Sequence, residues 1–427
     1  MRRISKAGTA RMAVAAAAVI AGSVGMVASS SAKTAKAASG STVDFYSSLP
    51  LSGSTIAQTG PAVNGIRLAL KQAGNKAGSY TIKYQSLNDA TAAAGQWTAE
   101  QTSADARKAA GDALAVYYMG EFNSGASEVS MPILNTAGIA QDSPANTYVG
   151  LTASLKGVTA PGEPQKYFPT GKRTFTRIVP LDTIQGAADL DALAATGCKK
   201  LAIFDDTQAY GAGLAAVLKD TASMYGMKVV STQSNAQVQS NYTSVAQAFA
   251  SAGAQCVELS ATTASVNGGA FVTAVHSALP KAKILGPDGM CASAWVTTVP
   301  VLCTVATLDM QAYPGGKAFL AAYKKAYGTS NPDPYSIYGY ESAELGITAL
   351  KSVKSGLSGK ALRAAMVKAL FSVKNVNSVL GKFSITSTGD TSLTSYGLYK
   401  LTPTKGGKSD NQVFYKTLHP TKYLHAS

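Results

Sequence analysis

Apolar residues recur along this chain in two alternating rhythms. Short runs, continuous or alternating with polar residues, are separated by stretches in which apolar positions return every three or four residues. The first rhythm predicts strands over 41–47, 80–87, 114–119, 139–142, 174–179, 200–205, 228–232, 256–260 and 283–285. The second predicts helices over 62–73, 91–108, 184–196, 211–225, 241–252 and 267–278, and one that closes at Gly138. Later come helices over 317–327, 338–355 and 359–370, then strands over 380–386 and 396–401 with a turn at 388–390 between them. Segment 49–60 is predicted to be a loop. Segment 153–172, rich in proline and glycine and without periodicity, is predicted to run over the surface between lobes. Strand and helix alternate in both halves, which predicts an α/β protein of two doubly wound lobes.

The stretch 117–152, YYMGEFNSGASEVSMPILNTAGIAQDSPANTYVGLT, reads as strand, elbow, helix, strand, elbow. In an open parallel sheet both elbows fall at the carboxyl ends of strands, where ligands bind. Ser124 and Ser127 are placed to cap the helix and leave N–H groups at its first turn, a seat for a carboxylate. Capping alone would explain one such elbow; two on consecutive strands, with Thr147 in the second, point to a site. In the second half, Tyr210 stands at a strand-to-helix elbow and can wall a pocket while donating a hydrogen bond. Asp288, in Gly286-Pro-Asp-Gly, is either a turn residue or an ammonium partner at a strand end. Gly211-x-Gly213-x-x-Ala216 superficially copies a dinucleotide fingerprint. The glycines lie six residues past the strand, and no acid ends the next one, so that reading fails.

Composition narrows the rest. Arg2, Arg3, Lys6 and Arg11 precede an alanine-rich apolar run, 13–28, with an A-x-A site ending at Ala37. Residues 1–37 are therefore expected to be a cleaved export signal, with no lipid anchor because no cysteine precedes Cys198. Much of the +15 charge lies there; the remainder exceeds its 23 acids by nine, scattered and without an aromatic-interleaved basic cluster, so nucleic acid is not an expected partner. Four cysteines in an exported chain imply two disulfides with three possible pairings; Cys198–Cys256 and Cys291–Cys303 are expected, since the first pair each open a strand and the second flank one loop. Nucleophile, metal and Walker motifs are absent, and the three histidines, His276, His419 and His425, are not spaced as ligands. No cofactor and no metal are expected, and an exported enzyme on this scaffold lacks a general base and nucleophile.

Residues 117–152, the run from Lys200 to Leu214, and the Gly286–Gly289 elbow together resemble the type I periplasmic binding proteins of the leucine/isoleucine/valine-binding family, the amino-acid receptors of ABC transporters. The resemblance spans roughly residues 43 to 400. It implies two Rossmann-like lobes joined by a three-segment hinge: an N-terminal lobe of 38–180 plus 310–378, and a C-terminal lobe of 181–309 plus 379–427. It implies carboxylate contacts from Ser124, Ala145 (backbone) and Thr147, an ammonium partner in Asp288, and a second-lobe wall of Tyr210, Gln185 and Asp182; Thr262, in the loop after the third strand of that lobe, is a further candidate. An amino acid or related small carboxylate would be the ligand, and ABC permease subunits in the membrane the partner. The alternative is a sensor of the same fold that presents an amide or aromatic acid to a receptor. Two positions depart from the family: Thr59, before Gly60, and the loop 260–264 lack the usual aromatic residues, so two cleft walls are expected to be smaller and more polar.

Overall fold

The computed structural model describes residues 41–292, 299–403 and 411–426. The expected export signal lies outside them. A six-stranded sheet runs in the order β2 (Lys76–Ala77), β3 (Tyr80–Leu87), β1 (Thr42–Ser48), β4 (Ala115–Met119), β5 (Ala140–Ser143), β6 (Phe175–Arg177). From β3 to β6 every pairing is parallel. Helices α1 (Ile56–Gln72), α2 (Ala99–Gly111) and α3 (Ser124–Ala137) connect its strands.

The chain then crosses to a seven-stranded sheet through α4 (Asp182–Ala194). This sheet contains β7 (Lys200–Asp205), β8 (Lys228–Ser234), β9 (Cys256–Ser260), β10 (Lys283–Gly286) and β11 (Val301–Val305), with helices α5 (Ala209–Thr221), α6 (Thr243–Ser251) and α7 (Gly268–Ala278) between. It crosses back for α8 (Gly316–Tyr327), α9 (Tyr335–Ser352) and α10 (Gly359–Phe371), then forms the small hairpin β12 (Val376–Ser378) with β13 (Gly381–Phe383). β14 (Tyr396–Thr402) and β15 (Asn411–Leu418) return antiparallel to the edge of the second sheet, giving the order β15-β14-β11-β10-β9-β7-β8. Among the described residues no helix is long and apolar enough to cross a membrane.

The central strands of both sheets are covered on both faces, which is why β4 (AVYYM) and β9 (CVELS) are buried at every position. α9 lies along α1 so tightly that Gly65 and Gly339 each face the other helix's backbone, with no room for a side chain. Cys198 pairs with Cys256 and Cys291 with Cys303. The first bridge joins the start of β9 to the turn before β7, and the second joins the loop after β10 to β11.

Several local expectations are corrected. α1 begins at Ile56, inside the segment read as a loop; Pro61 sits within the helix and removes only one ladder N–H. α2 begins at Ala99 and not near Thr91, because Thr98 Oγ1 accepts the Gln101 N–H as an N-cap. Segment 153–172 is not a loose surface run: Glu163, Tyr167 and Phe168 are buried, and the Tyr148 and Tyr167 hydroxyls both donate to the Glu163 carboxylate at 2.7 Å. The pattern does not predict β2, β11, β12 or β15.

Candidate functional site

The loops at the carboxyl ends of the two sheets face each other and touch. Ser54 Oγ donates to the Thr263 carbonyl (2.9 Å), Trp97 Nε1 to Gln208 Oε1 (3.2 Å), and Gln58 Nε2 to the Asp288 carbonyl (2.9 Å). The seam between these two banks contains most of the residues singled out from the sequence.

The first bank is a cross-braced pair of elbows. Ser143 Oγ donates to the Glu121 carbonyl (2.7 Å) and accepts the N–H groups of Ala145 (3.1 Å) and Asn146 (2.9 Å). Asn146 Nδ2 donates to the Phe122 carbonyl (2.8 Å), and Ser127 Oγ donates to Asn146 Oδ1 while accepting the Glu121 N–H (3.1 Å). The expected capping roles are thereby corrected. The N-cap of α3 is Asn123; Ser127 spans to the neighbouring elbow, and Ser124 Oγ accepts the Tyr148 N–H at 3.4 Å. The Ala145 N–H is already engaged, so what that residue offers a ligand is its carbonyl. Thr147 is buried with its hydroxyl unpartnered.

Behind this bank sits Arg177, fully buried. Its Nε pairs with Asp390 (2.8 Å), one Nη donates to the carbonyls of Asn146 (3.2 Å) and Tyr148 (2.7 Å), and the other donates to Thr152 Oγ1. The guanidinium thus fixes the loop that carries Thr147 from both flanks.

The second bank is built on acids. Asp288 Oδ1 accepts from Tyr210 Oη (2.5 Å) and Gln185 Nε2 (2.6 Å), and Oδ2 accepts from Tyr335 Oη. Tyr335 opens α9, so Asp288 is gripped from both sides of the seam. Burial raises its carboxyl above the ordinary range, while these three donors pull it down. Asp182, the first residue of α4, is fully buried and neither carboxylate oxygen has a hydrogen-bond partner. Burial pushes it up to about 7; the Thr147 hydroxyl, which stands beside this carboxylate just outside good hydrogen-bond geometry, and Arg177 oppose the rise, and nearby Asp288 adds to it. Deeper still, Thr304 Oγ1 donates to Asp189 (2.5 Å), and the Glu258 carboxylate is unpartnered; burial holds both acids well above the usual range.

Other expected residues fall elsewhere. Thr262 is spent on a local turn: its N–H and hydroxyl both meet Ser265 Oγ (3.0 Å), which donates to Asp206 (2.5 Å). Thr59 does not line the seam; it is buried within its own layer, donating to the carbonyls of Pro50 and Thr55. The aromatic surfaces come from positions the sequence reading did not pick. Phe122 meets Tyr335 edge-on with centroids 4.9 Å apart, and Trp97 covers Gly125. The glycine pair that copies a dinucleotide fingerprint has a packing reason. A Cβ on Gly211 would stand 2.4 Å from the Ser260 carbonyl, and one on Gly213 would stand 2.5 Å from the Tyr148 ring.

Two α/β layers that meet along a polar seam at their strands' carboxyl ends define a two-lobed ligand-binding scaffold. The family model described as periplasmic binding protein matches residues 47–408, and the chain belongs to that family. Among solved structures it is similar to the leucine binding protein LivK of Thermotoga maritima (18% identity, 88% of this chain and 99% of that one, TM-score 0.71). It is also similar to a solute binding protein of an ABC transporter from Rhodopseudomonas palustris in complex with p-hydroxybenzoic acid (16%, 89% and 97%, TM-score 0.71). LivJ of Streptococcus pneumoniae, in complex with isoleucine, matches at 17% identity over 88% of this chain and 99% of that one, TM-score 0.68. No curated sequence matches.

Proposed function

We propose that this chain is the extracytoplasmic substrate-binding protein of an ABC importer, and that it closes on an amino acid held between its two banks. The observation that carries the reading is the set of buried, unpartnered polar atoms at the seam, contributed by both sides: Thr147 Oγ1, both Asp182 oxygens, Gln185 Oε1 and Gln58 Oε1. Buried polar groups without partners are costly, and a seam between lobes that collects them is a place for a ligand to supply the missing bonds. Ser124, Thr147 and the first turn of α3 suit the ligand's carboxylate. The Ala145 carbonyl, Tyr210, Gln185 and the acids suit its ammonium end; Thr262 acts only by shaping the loop.

Closure is hinge bending of 38–180 plus 310–395 against 181–309 plus 396–427; the segment 379–395, expected with the second lobe, goes with the first because β12 pairs with β13 and Asp390 with Arg177. The crossings lie after β6, after β11 and before β14, where Tyr396 donates to the Pro180 carbonyl (3.0 Å) and Tyr399 to those of Thr307 (3.0 Å) and Leu308 (2.9 Å). The protein is exported with its leader removed, and it docks on permease subunits in the membrane.

The test is binding by refolded mature protein (38–427), with thermal shift across amino acids, amides, aromatic acids and sugars confirmed by calorimetry. Saturable binding of an α-amino acid is the expected result. Binding of aromatic acids or amides alone would replace amino-acid uptake with the sensor or aromatic-acid reading.

A further inference from the structure

The second sheet is charged differently at its two ends. At the carboxyl end, towards the seam, stand Asp205, Asp206 and Asp288. At the amino end the strands open on lysines. Lys200 begins β7, Lys228 begins β8 and Lys283 begins β10, with Lys199 and Lys281 just ahead of two of them. Backbone hydrogen bonds set these openings side by side. The Lys228 N–H donates to the Lys199 carbonyl (2.9 Å), the Gln255 N–H to that of Lys200 (2.8 Å), and the Lys283 N–H to that of Gln255 (3.3 Å). Lys400 joins the row from β14, which runs antiparallel beside β11. All six lysines are exposed. Positive charge that is scattered along the sequence is gathered by the fold at one pole.

Little at this pole answers it. From Thr221 to Pro287 the chain has one acid, Glu258, and it is buried. Among the described residues the ion pairs are Lys166–Glu163 and Arg177–Asp390, so none of the six lysines is paired there. None lies in the last turn of a helix, where a cation would serve the helix's own carbonyls. Two adjoining hollows, of about 790 and 440 Å³, share Thr196, Lys281 and Lys283 and make one groove across the row. Lys400, His276 and Tyr415 line one end of it and Gln255 the other.

The shape and the residue type say what fits. From β8 to β14 the row crosses β7, β9, β10 and β11, a span of roughly 24 Å at about 4.8 Å per strand. A small anion would meet one or two of these ammonium groups, and only an extended one meets them all. No arginine occurs between Arg177 and Arg363. Lysine is a point charge that suits single phosphate oxygens and lacks the planar fork that grips carboxylates in pairs. Tyr415 and the His276 ring are the flat surfaces along the groove, too few to stack a row of bases.

We propose that this pole is a docking surface for a linear phosphodiester polymer of the cell envelope, poly(glycerol phosphate) in type, laid across the strand openings. The seam lies at the other end of the same strands and stays free. The inference takes from the reading above that the chain is exported, and it does not depend on which solute the seam holds.

The experiment compares three refolded mature proteins: wild type, Lys200→Gln/Lys228→Gln/Lys283→Gln, and a control that loses the same charge elsewhere, Lys71→Gln/Lys108→Gln/Lys368→Gln on α1, α2 and α10. Circular dichroism checks that each is folded. The probes are labelled poly(glycerol phosphate), single-stranded poly(dT) and phosphatidylglycerol vesicles, titrated by anisotropy or co-sedimentation from about 50 to 200 mM salt. Wild type should bind poly(glycerol phosphate) with log K falling against log salt at a slope of about −4, since six phosphate contacts release about 0.7 counterion each. The pole variant should bind about tenfold or more weakly at the lower salt and lose about half the slope, while the control stays within about twofold of wild type. Equal losses in both variants would show that net charge alone is at work and overturn the assignment. So would no binding by wild type, or tighter binding of poly(dT). Binding to the vesicles without binding to the free polymer would replace the polymer with a membrane surface. Solute binding at the seam, measured on the same three proteins, should be unchanged, so a failure here leaves the solute-binding reading standing. Wild type that holds the polymer and no solute would count against that reading alone.

Discussion

The two banks of the seam are made of similar material and solve opposite problems. On the first, Ser127, Ser143 and Asn146 tie the elbows to each other, and Arg177 clamps the carbonyls behind them. Thr147 Oγ1 is the unpartnered hydroxyl beside that clamp. On the second, the donors converge on one acid: Asp288 takes three, while Asp182 and Glu258 have none in hydrogen-bond geometry. One bank is preorganised by its own hydrogen bonds, and the other is left incomplete. Recognition by a two-lobed protein needs both, because a rigid seat lowers the ordering cost of binding, and an unmatched site makes closure depend on what is bound.

The strongest way to break the comparison is to remove the clamp. Arg177→Met should leave Asp390 buried without its cation and the Asn146 and Tyr148 carbonyls without a donor. A loss of about 3–5 kcal/mol is expected from breaking one side of a buried pair, measured by urea unfolding. Binding should fall as well, because the loop carrying Thr147 loses its support. A variant that melts within a degree or two of wild type would show that the first bank does not depend on Arg177.

Removing the charge from the second bank should act in the other direction. Asp182→Asn takes away a carboxylate whose buried form is disfavoured, so the empty protein should be more stable at pH 8, by about 1–3 kcal/mol. The sign follows from the raised value. With an unfolded carboxyl near 3.8 and a folded one at about 7, the folded state holds the extra proton between them. Stability of the empty wild type therefore falls as pH rises through that window, and the variant should lack this fall. The same shift predicts that an amine-bearing solute, which needs the ionised form, binds more tightly as pH rises towards about 7 and then levels off. Calorimetry in buffers of different ionisation heat would register the released proton.

The sequence made one of these banks more legible than the other. Strands β3, β7 and β9 are bounded by sharp changes of rhythm and fall where the pattern puts them. The elbow at 120–127 and Asp288 are local motifs, visible as strand–turn–helix. What could not be read is what reaches them from afar. Arg177 lies in a three-residue strand, and its partner Asp390 is 213 residues away. Tyr335 meets Asp288 across 47 residues and lies before the helix that the apolar pattern predicts over 338–355. β15 was missed because it is an edge strand: Val413 is 54% exposed and Tyr415 67%, so no buried face imposes a period on its sequence. The α2 start was recoverable, since Thr98-x-x-Gln101 is a capping signature that the helical periodicity upstream obscured.

The smallest expected effect tests whether the grip on Asp288 latches the two banks together. Tyr335→Phe removes a single hydroxyl from the seam and keeps the ring edge-on against Phe122. Asp288 would keep Tyr210 and Gln185 on Oδ1, and Oδ2 would lose its donor. Burial holds the Tyr335 hydroxyl well above its ordinary value, so it is a neutral donor throughout the working pH range; losing it should raise the Asp288 carboxyl further, so the variant should cost more where Asp288 is ionised than where it is protonated. A loss of about 0.5–1.5 kcal/mol from the closed arrangement is expected, divided between ligand affinity and the fraction of empty protein that is closed. Small-angle scattering of empty and loaded protein separates the two. A latch predicts a larger radius for the empty variant and a radius equal to wild type once ligand is bound. If the radii agree in both states while affinity drops, Tyr335 contacts the ligand directly and the two banks are fastened elsewhere.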